Sequence, residues 1–125
     1  MKTKGFTLVE LVIVIVIVGI LSVVAVPVYR GYTKKAMATE GKALLGALNT
    51  SQKVYFAEWN MFATGAQSAA LDVDASTNKY FTTYGLTGGA TGFTATTSGS
   101  RGAEGIGLTL IGSSTGASNI TESGL

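Results

Sequence analysis

The feature that most restricts this chain is an apolar run, LVIVIVIVGILSVVAVPV, from Leu11 to Val28. Its eighteen residues carry no charge and one polar side chain, Ser22. Counted from Phe6 the segment reaches twenty-three residues. As a helix that is roughly 35 Å at ~1.5 Å per residue, enough to cross a ~30 Å hydrocarbon layer. The many β-branched side chains would also suit a buried strand, but strands in soluble proteins are far shorter, so length decides for a helix in lipid. Of 125 residues, about 100 at most then remain to build a water-facing core, so any soluble part is small.

Beyond Val28 the continuous apolarity ends but a helical rhythm persists. Leu44, Leu48, Tyr55, Trp59 and Phe62 fall three, four or seven apart, with Lys34, Lys35, Lys42, Gln52, Lys53 and Glu58 between them, and no proline follows Pro27. This reads as one continuous rod from about Phe6 to about Phe62, with a lipid half (6–28) and an amphipathic half (29–63). Gly31, Gly41 and Gly46 each cost up to ~1 kcal/mol relative to Ala and are places where the rod can bend. After Ala63 the composition turns to Gly, Thr and Ser, and twelve of the seventeen glycines lie there. Runs with period two at 79–84 (KYFTTY), 92–97 (GFTATT) and 105–111 (GIGLTLI) predict about three antiparallel strands, with glycine loops at 85–91 and 112–119 as mobile rims. The expected fold class is therefore α+β: a long N-terminal helix laid on a small C-terminal antiparallel β-sheet over 64–125, packed against the helix stripe that ends in Trp59 and Phe62.

Composition excludes much chemistry. The chain has no Cys and no His, which removes disulfides, thiol nucleophiles, most metal sites and every Ser-His or Cys-His catalytic pair. No nucleophile, base and oxyanion donor can be named together, so no enzyme is expected. Without Met1 to Gly5 the chain keeps seven basic and seven acidic side chains, so no specific nucleic-acid partner is expected.

Within the apolar segment Glu10 stands out, a carboxylate among Phe6, Leu8, Val9 and Leu11. An ionised side chain near hydrocarbon costs a few kcal/mol and needs a partner. The uncut segment offers none on the lipid side, although Lys2 and Lys4 are close in sequence. A cut after Gly5 would create an α-ammonium on Phe6, one helical turn from Glu10 or level with it on a neighbouring subunit, and the two charges would neutralise one another.

The stretch KGFTLVEL, Lys4 to Leu11, resembles the prepilin processing site of type IV pilins, pseudopilins and related filament proteins. The resemblance covers about the first thirty residues strongly and the remainder in architecture. It implies a leader of residues 1–5 ending at Lys4 and Gly5, removal of that leader by a membrane prepilin peptidase, methylation of the new Phe6 amine, and a subunit-docking role for Phe6 and Glu10. It also implies a loss of helix between Gly19 and Pro27 on packing into filaments, which suits the weak helix former and the missing amide donor at those positions. The implied product is a structural subunit of a type IV pilus-like filament. It begins as a single-pass inner-membrane precursor held by lipid, is handled by the pilus assembly machinery, and becomes a homo-oligomeric extracellular filament on a bacterial surface. No cofactor is implied.

Two departures bear on this. Many pilins close a C-terminal loop with a disulfide, which this chain cannot form, so that region is held by hydrogen bonds, by subunit contacts or by nothing. Many major pseudopilins of type II secretion hold calcium in an acidic C-terminal loop. Here GSSTGASNITESG, 112–124, offers Glu122 and no Asp, so no metal site is expected and a pilin is favoured over a secretion pseudopilin. Other readings stay open: a secretory signal peptide cut after Ala25, a plain single-pass anchor, or a membrane-anchored binding module that never polymerises. Asp72 and Asp74 read as solvated acids rather than a cation site. Tyr29, Tyr32, Tyr55, Phe56, Trp59 and Phe62 read as packing residues, Asn119-Ile120-Thr121 as a weak glycosylation match, and Arg101 as a turn residue.

Overall fold

The computed structural model describes Met1 and residues 4–125. The leader expected over 1–5 thus includes Lys2 and Thr3, which lie outside the described residues. Among the described residues the elements are a helix α1 (Leu8–Trp59), a 3₁₀ turn (Gly65–Leu71), and four strands β1 (Gly85–Gly88), β2 (Gly92–Ser98), β3 (Gly107–Ser113) and β4 (Ser118–Ser123). The chain divides into two compact units, Met1–Thr33 and Lys34–Leu125.

In the first unit every residue from Lys4 to Arg30 is exposed. Here α1 is long and apolar enough to cross a membrane, and its apolar window is wholly unburied. It continues through Gly19 and Pro27 without a break. Pro27 has no amide to give, so the carbonyl of Val23 loses its helical donor. The hydroxyls of Ser22 and Thr33 donate back to the carbonyls of Val18 (2.7 Å) and Tyr29 (2.9 Å), and so stay satisfied without water.

The second unit has the expected α+β layering. The remainder of α1 buries Ala38, Gly41, Leu44, Leu45, Leu48 and Gln52 against an antiparallel meander in the order β1-β2-β3-β4. Alternation along β2 and β3 sends Phe93, Ala95, Leu108 and Leu110 inward, where they meet Phe81, Ile106 and the helix leucines in one core.

Several expectations are corrected. The helix stops at Trp59 because Asn60 turns left-handed, at φ 53°, which releases Met61, Phe62 and Ala63 from the helix. Phe62 joins the core through Phe56 and Phe93, at centroid distances of 4.6 and 5.1 Å, whereas Trp59 is 64% exposed and ends no buried stripe. Gln52, expected among the polar spacers, is fully buried. Its amide accepts from Ala63 N and donates to Ala63 O, both at 2.8 Å, and so pins the segment that follows the helix. Such a pairing gives a buried amide the partners it would otherwise lose from water.

The strand expected at 79–84 does not form. Glu40 on α1 takes the amides of Lys79 (3.1 Å), Tyr80 (2.6 Å) and Phe81 (2.9 Å), so these donors serve a carboxylate instead of a ladder, and Phe81 is drawn into the core. The expected loop at 85–91 instead supplies β1, paired Leu86 to Ala95. The expected rim at 112–119 supplies the end of β3, a turn and the start of β4, whose Ile120 pairs with Leu110. Without a disulfide, the C-terminal strand is tied to the helix by Lys42–Glu122 at 2.7 Å and by Lys34 Nζ donating to Gly124 O at 3.2 Å.

Of the three helix glycines beyond Pro27, Gly31 and Gly46 face open space, while Gly41 lies under Leu108 and the Phe81 ring. A Cβ at 41 would sit 3.0 Å from that ring and closer still to a Leu108 methyl, with both side chains already buried. Gly41 is therefore a point of close side-chain approach to the helix rather than a bend. Replacing Gly41 with Ala should destabilise the full chain in detergent by about 1–3 kcal/mol through overpacking, while Gly46→Ala should stabilise it by up to about 1 kcal/mol. Thermal melts of the two variants should move in opposite directions.

Glu40 also sets a pH dependence. Burial raises its carboxyl, but the three backbone N–H donors and nearby Lys79 outweigh this and hold it below its ordinary value. A lowered folded value stabilises the protein above the unfolded value near 4.5, and that contribution disappears as pH falls through the folded value. Glu40→Gln should cost about 1–2 kcal/mol at pH 7, kept modest because the carboxylate remains partly in solvent. The difference from wild type in chemical denaturation should close as the pH drops below the ordinary carboxylate range.

Candidate functional site: the N-terminal end of the apolar helix

Residues 4–7 are irregular and α1 begins at Leu8, two residues later than the rod expected from Phe6. The start follows from the sequence T-L-V-E. Thr7 occupies the cap position and Glu10 the third helical position, which is the reciprocal arrangement that satisfies the free amides of a helix N-terminus. Thr7 N donates to Glu10 Oε2 at 2.9 Å, the Thr7 hydroxyl donates to the same oxygen at 2.7 Å, and Glu10 N donates to Thr7 Oγ1 at 3.3 Å.

This corrects the expectation that Glu10 lacks a partner in the uncut chain. Two donors from Thr7 hold its Oε2, and a carboxylate in the first turn is also favoured by the helix dipole. The signal was legible, since a Thr three residues before a Glu at the head of an apolar run is a capping-box pattern. Both side chains remain exposed, as do Lys4, Gly5 and Phe6, the last at 78%.

The remaining expected positions are scattered. Gly19 and Pro27 lie along the exposed apolar face of the first unit. Tyr29 and Tyr32 are 72% and 69% exposed, so the packing role expected of the aromatic series holds for Tyr55, Phe56 and Phe62 but not for these two or for Trp59, which stacks on Tyr55 at 6.2 Å. Asp72 is left-handed at φ 50° and closes the 3₁₀ turn. Asp74 accepts from Ser76 N at 2.8 Å, and hydrogen bonding from the Ser76 side chain and amide holds its carboxyl below the usual value. Arg101 sits at φ 55° in the turn before β3. Asn119, Ile120 and Thr121 belong to β4 rather than to a loop.

A family model described as the prokaryotic N-terminal methylation motif matches residues 1–26. A fimbrial protein of Moraxella nonliquefaciens is 44% identical over 77 residues, 62% of this chain and 50% of that protein. The type IV major pilin protein PilE of Neisseria gonorrhoeae is 38% identical over 73 residues, 58% of this chain and 44% of that protein. The type IV major pilin protein PilA of Myxococcus xanthus is 39% identical over 62 residues, 50% of this chain and 28% of that protein. The chain thus spans half or less of the length of these relatives. Their names are those of fimbrial and pilin proteins and not of enzymes. No solved structure matches. The chain thus carries the N-terminal methylation motif and is similar to curated fimbrial and type IV pilin proteins over as much as 62% of its residues.

Proposed function

We propose that the chain is the precursor of a structural subunit of a type IV pilus-like filament. It enters the bacterial inner membrane as a single-pass protein through 6–28, loses residues 1–5 to a prepilin peptidase after Gly5, is methylated at Phe6, and is passed by the assembly machinery into an extracellular filament. The observation that carries this reading is the methylation motif over residues 1–26, joined to an apolar helix that nothing in its own unit covers. Matching side chains, from Lys4-Gly5-Phe6 through Glu10, sit at the exposed head of that helix.

The capped state of Glu10 refines the docking step. Before cleavage Thr7 hydrogen-bonds one oxygen of the carboxylate, which lowers the cost of holding it near lipid without neutralising its charge. Cleavage supplies a positive amine at Phe6, a stronger partner in low dielectric than a hydroxyl. Because Glu10 Oε2 already takes both Thr7 donors, the second oxygen is the one left to accept a neighbour's amine. The cap then fixes the carboxylate's direction while the second oxygen makes the contact.

Intact-mass measurement on the mature protein should show loss of residues 1–5 and gain of one methyl; retention of Met1 in the assembled form would overturn the reading. Glu10→Ala should leave membrane insertion unchanged and lower the yield of sheared filaments by about tenfold or more, as expected for removing one partner of a low-dielectric ion pair. Undiminished filament yield would remove the docking role.

A further inference from the structure

We propose that Tyr29, Arg30 and Tyr32, just past the apolar run, form a docking site for the phosphate headgroup of an anionic phospholipid. This rests on the reading of 6–28 as a membrane span and goes beyond it, because crossing a bilayer requires apolar length and no particular headgroup.

Helix length puts these residues at headgroup depth. From Leu8 to Val28 the helix runs for twenty-one residues, about 31 Å at ~1.5 Å each, against a hydrocarbon layer of ~30 Å. Arg30 stands two residues beyond Val28, so its Cα lies about 3 Å outside that layer. Side chains on a helix lean towards its N-terminus, which here is towards the lipid. At ~100° per residue, Tyr29 lies between Tyr32, about 60° to one side, and Arg30, about 100° to the other. The three cover nearly half the helix circumference, and all are exposed, the tyrosines at 72% and 69%. A tyrosine at this depth keeps its ring against the acyl chains and its hydroxyl among the headgroups. The guanidinium matches a phosphate through two parallel N–H donors.

Charge selects an anionic lipid. Between Glu10 and Glu40 the charged residues are Arg30, Lys34 and Lys35, all basic. From 36 to 125 the chain carries six acidic and four basic side chains, so beyond the leader its excess of positive charge sits at the edge of the apolar run. Among the described residues Arg30 makes no salt bridge. Lys34 donates to the Gly124 carbonyl, and Lys35 is exposed. Nor do these charges serve orientation. With the leader on the cytoplasmic side, Lys2 and Lys4 are outnumbered by the three basic residues past the span, which weakens the ordinary positive-inside signal. A cationic edge that opposes topology fits the negative surface of a leaflet containing anionic lipid.

Depth separates the lipid from other anions. A free phosphate ion has no acyl chains to lay along the apolar run, so it gains the guanidinium contact alone and binds far more weakly. An acidic protein segment matches the charge but not the position, because its carboxylate must be desolvated at the hydrocarbon edge, where a lipid phosphate already resides. The lipid contact is also exchangeable. One basic residue near an anionic surface strengthens attachment by about fivefold, too little to prevent a subunit from leaving the bilayer.

The test places the full chain in vesicles of equimolar phosphatidylcholine and phosphatidylglycerol, releases it into mild detergent, and counts the retained lipids by native mass spectrometry. Wild type should retain phosphatidylglycerol over phosphatidylcholine by at least about fivefold, and Arg30→Gln should lower that preference by about fivefold. Arg30→Lys, which restores the charge, should keep most of it. Tyr29→Phe/Tyr32→Phe, which keeps the rings and removes the hydroxyls, should lower it by about twofold or more. Sodium phosphate in place of sodium chloride at equal ionic strength should leave it intact. Wild type that inserts without preference, or Arg30→Gln with its preference unchanged, would overturn the inference. Loss of the preference in phosphate would overturn it too, by making the site one for a free anion. Unchanged lipid retention in Arg30→Gln with a fall in filament yield would assign Arg30 to a protein contact instead. Wild type washed from the vesicles by alkali would defeat the membrane reading itself, a result obtained before any lipid is counted.

Discussion

The first unit of this protein presents an apolar surface that it cannot cover. Leu11, Ile13, Ile15, Ile17, Leu21 and Val24 are all more than half exposed, and the whole apolar window is unburied. Each such side chain left in water forgoes about 1.5–3 kcal/mol, so a run of this length demands either lipid or the same surface on other copies. In the proposed reading the chain uses both in turn. Between lipid and neighbouring helices the apolar transfer is nearly neutral, so the choice rests on packing and on the few polar groups present. That is why one carboxylate at the head of the helix carries weight out of proportion to its size.

The second unit solves a different problem, how to hold a small domain without a disulfide. Its answer is to use the helix as the fixed element and to draw irregular backbone onto it with side chains. Glu40 gathers three consecutive amides, Gln52 pairs with both polar groups of Ala63, and Lys42 and Lys34 reach the C-terminal strand. The buried Gln52 pairing and the charge-assisted Glu40 bonds stabilise more than the exposed Lys42–Glu122 pair, which solvent screens. The segment from Asn60 to Tyr84 is thereby ordered with little regular structure of its own. Gly41 lets Leu108 and Phe81 press onto the helix, so this close approach and the Glu40 anchor hold the same stretch from two sides.

Such an arrangement also leaves the far side of the sheet unoccupied by any stabilising task. Its threonines favour strand geometry by their β-branching and need no partner beneath them. A face freed from packing can be shaped by solubility alone, and charge would be the ordinary result.

What the sequence by itself determined were the properties that depend on neighbours along the chain. Helix in the apolar run, the capping pattern Thr7 to Glu10, the alternation of β2 and β3, and the absence of thiol and imidazole chemistry are all local and could be read from residue order. What only the tertiary structure decided were the properties set by distant partners. Residues 79–81 read as strand by propensity, yet lose their ladder donors to a carboxylate forty residues earlier. Gln52 reads as a polar spacer, and becomes core because Asn60 turns the chain back towards it. Residues 112–119 read as a glycine rim, yet supply the end of β3, a turn and the start of β4, because β3 offers an edge with Leu110 opposite Ile120. In each case a hydrogen-bonding group settled with the partner that folding brought within reach, and sequence order contains that partner's identity but not its position.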